Sequence, residues 1–242
     1  MQAKISHYQA DDTLAKLEVE DECSLAAVPA KLAPVYQRLN EELIWIHGKW
    51  NMYRQLFGFS KSRVDLLNES SQAFFAVLQP LWIDYLVLEI CKLTDPAQSG
   101  KYTNLSIEQL HEKLSSTKYR GIRDQLSLLA NSVREECKPL RDRRNKRIAH
   151  NEFRTAMSQE AVSIRGISFR ELEAALESIR NYMMAFRSHF IDDADYTYET
   201  FTAGDGGLDL VYVLKQASVF REMERDDLSL AIRVDEGKRR DA

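Results

Sequence analysis

Hydrophobic positions recur every three or four residues through most of the chain, which is the period of amphipathic helices. From Leu32 through Tyr36, Leu39, Leu43, Ile46, Trp50 and Tyr53 to Phe57 the steps alternate between four and three. That heptad-like stripe predicts one face of a long helix, with Pro34 in its first turn and Gly58 as its stop. Aromatic residues at this spacing fit a packed core. Ser60 or Ser62 is placed to cap the next helix. That helix carries two stripes: Leu67, Ser71, Phe74, Leu78, Trp82, Tyr85 and Leu88, then Phe75, Ile83, Leu86, Ile90 and Leu93. A helix apolar on two sides is expected inside a bundle. Pro80 predicts a kink in it, and Thr94-Asp95-Pro96 ends it. Asp95 either caps the chain there or supports a nearby site.

Gln98 to Asn104 reads as a polar loop. Ser106-Ile-Glu-Gln109 reads as a capping box with Ile107, Leu110 and Leu114 behind it. Ile122, Leu126, Leu129 and Val133 form the next stripe and lead to Pro139, where the chain either kinks or starts a fresh helix. Asn151 to Gly166 has no clear period. A second capping box, Ser168-Phe-Arg-Glu171, opens a helix with Phe169, Leu172, Leu176, Ile179, Met183, Phe186 and Phe190 on one face. Asp192 to Gly207 carries linker-like turn signals, Leu208 to Met223 reads as a last helix, and the tail from Gly237 is expected to be disordered. No segment alternates with period two for long, and no repeat is visible. The fold class expected is all-α, an antiparallel bundle of four to five long helices. Three units are expected: a polar, acidic arm over 1–28, the bundle over 29–190, and a linker, last helix and tail over 191–242.

Composition narrows the function classes. The 242 residues are 44% hydrophobic and 29% charged, as in ordinary globular chains, and the net charge of −4 argues against a wholesale nucleic-acid coat protein. A local basic site survives that argument, because charge fields are screened within about 10 Å at ordinary salt. Cys23, Cys91 and Cys137 form no Cys-x-x-Cys pair and the histidines no His-Glu-x-x-His, so neither a disulfide framework, a metal site nor a cofactor is expected. The N-terminus lacks a basic and apolar leader, and Phe74 to Leu93 is interrupted by Pro80, Asp84, Glu89 and Lys92. A core helix rather than a membrane span is expected there, and a cytoplasmic home.

One stretch breaks the acidic balance. Between Lys138 and Arg147 six of ten residues are Lys or Arg, only Asp142 is acidic, and the run leads to His150 and Asn151. Two readings stay open. The run is either a solvated helix face, or fixed positive charge beside a proton-transfer group. The second arrangement suits a phosphate-containing substrate, because the arginine fork binds phosphate oxygens bidentately and histidine titrates near neutrality.

Arg144-Asn145, four further residues, then His150 is similar to the Arg-polar-x(3–5)-His motif of the HEPN superfamily. Leu140-Arg-Asp, Arg144-Asn-Lys and Ile148-Ala-His, with Trp50 to Phe57, Leu67 to Pro96 and Asn104 to Leu110, most resemble the AbiU-type branch linked to phage abortive infection. The resemblance covers roughly Trp50 to Phe190. It implies a helical bundle and a metal-independent endoribonuclease, a toxin in phage defence. His150 is then the acid or base, Arg144 the transition-state clamp, and Asn145 the residue that orients them. It also implies a homodimer through the motif helices and a neighbouring antitoxin or defence protein as a possible partner. Some HEPN toxins carry a tyrosine two residues after the histidine, where a partner modifies them. Glu152 stands there in this chain, so that antitoxin mode is not supported.

On an ideal helix of about 100° per residue, Arg144 and His150 lie roughly 120° apart, whereas Arg143 and Arg147 share the histidine's face. Arg143 is therefore kept as understudy to Arg144. Lys138, Lys146, Arg147 and Arg154 either track an RNA backbone or are simply solvated. Tyr119 and Trp50 are the aromatic residues weighed for base stacking. The alternative to a ribonuclease is a non-catalytic HEPN module that binds RNA or nucleotide, or that assembles a defence complex.

Overall fold

The computed structural model describes residues 27–114, 117–148, 166–191, 196, 198 and 206–240, with side chains as far as 227. The arm up to residue 26, Cys23, His150 to Arg154 and most of the 192–205 stretch lie outside the described residues.

The described chain is almost entirely helical. α1 spans Ala33–Phe57 and α2 Lys61–Thr94; a two-strand hairpin of β1 Gln98–Ser99 and β2 Tyr102–Thr103 follows. Then come α3 Glu108–Glu112, α4 Arg120–Glu136, α5 Lys138–Arg143, a π-helical turn Arg144–Ile148, α6 Phe169–Phe190 and α7 Gly207–Arg240. This is the all-α bundle that the stripes predict, with the polar 98–104 loop closed into a small hairpin.

α1 lies at the centre. Every member of its predicted stripe is buried, and so are Asn40 and His47 on its other sides. Trp50, Tyr53 and Phe57 join Phe75, Trp82 and Phe169 in one aromatic cluster, with Trp50 and Tyr53 stacked at 5.7 Å. Each such ring withdrawn from water contributes about 1.5–3 kcal/mol. Gly58 does end α1, but at φ −103° it needs no left-handed freedom. Close approach explains it instead: a Cβ there would sit 2.7 Å from the Phe169 ring. α4 lies along α6, whose stripe from Leu172 to Phe190 is buried as read. The Ser168–Glu171 capping box forms in full.

Four expectations need correction. The break in α2 falls at Ser71 (φ −164°, ψ 81°), not at Pro80, which stays within the helix. The Ser70 hydroxyl donates to the Leu66 carbonyl at 2.7 Å, competing with the backbone amide for that acceptor. Pro80 and Ala76 are both exposed, so the carbonyl left without its amide is open to water. Second, α2 is not enclosed on both sides: Phe74, Val77, Leu81 and Tyr85 are exposed. Third, Ser106 makes no capping box; its hydroxyl has no partner among the described residues and the Gln109 side-chain amide turns to the Asn104 carbonyl. Fourth, α7 continues past Met223 to Arg240, taking in the tail from Gly237. The added stretch holds Arg225, Arg233, Arg239, Arg240, Glu224, Glu236, Leu228 and Leu230, residue types whose propensity favours helix.

Within the linker-like segment, Tyr198 is buried and donates to Asn40 Oδ1 at 2.6 Å, while Tyr196 lies 3.6 Å under the Arg187 guanidinium. Tyr198 belongs to the core, and Tyr196 packs against it. Among the described residues α2 is the helix long and apolar enough to cross a membrane; here it is a bundle helix with Leu86, Val87 and Ile90 fully buried.

Candidate functional site

The basic run folds as a short helix laid across the C-terminal half of α2. Cys137 closes α4 and opens α5, so a fresh helix starts at the proline, which sits in its first turn. Leu140 and Cys137 are fully buried and Ile148 packs on the core, which fixes the face that α5 turns inward.

Three arginines then lock α5 to α2. Arg141 donates to the Thr94 carbonyl, capping the last turn of α2. Arg143 donates to Asp84 Oδ1 from Nε at 2.7 Å and from Nη2 at 2.5 Å. Arg144 donates from Nη1 to both oxygens of Asp95, at 2.7 and 2.9 Å. Its Nε donates to Asn145 Oδ1 at 3.1 Å. Asp84 and Asp95 are eleven residues apart, three helical turns, so they share a face of α2 about 16 Å apart along its axis. The neighbouring arginines that end α5 and begin the π-helical turn point to opposite ends of that face.

The two ion pairs differ in burial. The Arg143 side chain is 7% exposed, while Arg144 and Asp95 are 22% and 26% exposed. Arg143 is thus sealed and Arg144 reaches solvent. Behind them, burial pushes the Cys91 thiol up to about 11 against the opposing pull of Arg144 and Arg141, and burial pushes Cys137 up to about 12. Both thiols stay protonated at neutral pH and are poor nucleophiles.

From Arg144 to Ile148 the winding is π-helical, a form that concentrates at functional sites. The 100° step assumed for Arg144 and His150 holds only for an α-helix, so the face argument stops at Arg143. The helical winding that starts afresh at the proline continues as far as Ile148, and His150 itself lies outside the described residues. Lys138, Asn145, Lys146 and Arg147 are exposed. The two aromatic residues weighed for stacking are occupied: Trp50 is core, and Tyr119 packs on Phe190 with ring centres 5.6 Å apart. Among the described residues no cluster of three or more His, Cys, Asp or Glu is placed to hold a metal.

Sequence reasoning missed Asp84, taking it only as a break in an apolar segment. Its spacing from Asp95 was the available signal, because two carboxylates on one face of an apolar helix require partners. Neither a curated protein nor a solved structure matches the chain. The AbiU2 family signature of the HEPN class matches residues 30–205, well over half of the chain and all of the motif helix. The chain belongs to the AbiU2 family and is an abortive-infection-related HEPN module.

Proposed function

We propose that the protein is a metal-independent endoribonuclease of the HEPN type, acting as a toxin in abortive infection in the cytoplasm. The observation that carries this reading is Arg144, the arginine of the Arg-Asn-x(4)-His motif, held at a solvent-reaching position by Asp95. His150 takes the proton of the ribose 2′-hydroxyl, whose oxygen attacks the adjacent phosphorus. A new P–O2′ bond forms as the P–O5′ bond breaks, leaving a 2′,3′-cyclic phosphate. A proton is delivered to the departing 5′-oxygen by the protonated histidine, that of the same chain or of a second copy. Arg144 stabilises the charge that builds on the phosphorane oxygens, and Asn145 helps to orient it. Lys138, Lys146 and Arg147 follow the backbone without reading bases. A homodimer that brings two motif helices together supplies two histidines to one site.

The test is incubation of wild type and His150→Ala with labelled RNA in excess EDTA. Wild type is expected to cut, leaving cyclic-phosphate ends, and His150→Ala to lose about 10²–10⁴ in rate. Equal cleavage by both, or dependence on added magnesium, refutes the mechanism. RNA binding by wild type without cleavage of any substrate favours a non-catalytic module instead. Light scattering at micromolar concentration tests the dimer; a monomer under all conditions contradicts the composite site.

A further inference from the structure

We propose that Asp95 is the positioning residue of the arginine site, holding Arg144 so that its Nη2 edge faces the substrate phosphate. The inference rests on the reading of Arg144 as a phosphate clamp. Two of the three guanidinium nitrogens are tethered: Nη1 by both oxygens of Asp95, and Nε by Asn145. Among the described residues nothing holds Nη2. A planar group fixed at two corners cannot rotate, so the direction of its third is set before substrate arrives.

Asp95 is itself fixed. It is the C-cap of α2, followed by Pro96, and its backbone is extended (φ −66°, ψ 154°). The Asn104 side chain donates to the Pro96 carbonyl at 2.8 Å and its amide to the Ala97 carbonyl at 2.9 Å, pinning the turn that carries the carboxylate. Arg141 on the Thr94 carbonyl holds the preceding residue to the motif helix. The carboxylate thus sits between a capped helix end and a closed hairpin. It also cancels one positive charge beside the site, so it weakens attraction for RNA while improving geometry. That opposition separates positioning from a merely structural role.

In Asp95→Ala, kcat for RNA cleavage should fall about 10–100-fold. KM and the Kd for non-cleavable 2′-O-methyl RNA should stay level or fall, because a negative charge is gone. Asp95→Glu, which keeps the charge on a longer stem, should recover part of kcat. Asp84→Asn, which removes the charge opposite the sealed Arg143, should lower Tm but leave kcat per folded molecule near wild type. By NMR, the Arg144 Nη1 hydrogens should be resolved and slow to exchange in wild type, absent from Arg144→Lys, and merged with those of mobile arginines in Asp95→Ala. An unmoved Arg144 resonance, or kcat and RNA affinity lost together in proportion to Tm, overturns the proposal. Should wild type cut no RNA, the ribonuclease reading fails by itself. The arginine resonance and the 2′-O-methyl RNA affinity then still decide the role of Asp95.

Discussion

Arg143 and Arg144 are consecutive, chemically identical and each paired with an aspartate of the same helix face, yet their surroundings differ. Arg143 is sealed against Asp84, and Arg144 keeps contact with solvent beside Asp95. A guanidinium sealed in this way has its charge met by one carboxylate and has little freedom to meet a ligand. A guanidinium that is tethered but open can meet a phosphate. In this bundle, local burial rather than residue type separates an anchor from a candidate functional group.

The largest effect expected is on the open arginine. Arg144→Ala should lower RNA cleavage by about 10²–10³ through lost charge stabilisation. Unfolding in urea should show a cost no larger than about 1 kcal/mol, because the pair it breaks is solvent-reaching. Arg144→Lys should recover little, since a point charge replaces a planar fork. Equal losses of stability and activity would erase the distinction between the two arginines.

The sealed pair should behave the other way. Asp84→Asn should destabilise the fold by about 3 kcal/mol, the low end for a broken buried pair because Asp84 remains 28% exposed. Combining Asp84→Leu with Arg143→Met should restore most of that stability, since apolar residues of similar volume often replace a buried pair at little cost. A double variant that is no more stable than Asp84→Asn would show that the pair does more than anchor α5.

A pH titration probes the ground beneath both arginines. Folded-state thiol values of about 11 for Cys91 and 12 for Cys137 lie above the ordinary value of 9.0. A raised thiol contributes stability that is fully present below pH 9 and is lost as pH rises through the folded values. Urea midpoints should therefore be insensitive to these groups near neutrality and fall steeply above pH 9. Cys91→Ala should be less stable at pH 7, through its cavity, but show a shallower alkaline decline. An identical decline in the variant contradicts the assignment. The smallest effect is expected at Lys146→Ala: modestly weaker RNA binding, with the salt slope reduced by about one unit. A cleavage defect like that of Arg144→Ala would move Lys146 into the site.

The parts of the fold legible in the sequence were those with a local period. The α1 stripe and the face of α6 are written at intervals of three and four, and burial follows them residue by residue. The Ser168 capping box forms from neighbours three apart. Where a competing contact decided the outcome, the reading failed. Ser106 offers the same spacing, but Gln109 is drawn to a carbonyl of the preceding turn, and the α2 break falls at Ser71, next to a serine hydroxyl bonded to the Leu66 carbonyl, rather than at the visible proline. For the site, the motif named Arg144 and Asn145 and left Arg143 as an alternate. The Asp84 and Asp95 partners lie 59 and 49 residues earlier. No local pattern encodes a pairing at that distance; only the crossing of α5 over α2 makes it.

The most direct measurement is single-turnover cleavage of a labelled RNA, in excess EDTA, by wild type, Arg143→Met and Arg144→Met, each corrected for the folded fraction from its own melting curve. The account predicts that Arg144→Met melts like wild type but scarcely cuts. Arg143→Met should melt early and cut, per folded molecule, at nearly the wild-type rate. Loss of cleavage in Arg143→Met with Arg144→Met still active would reverse the assignment and contradict the account.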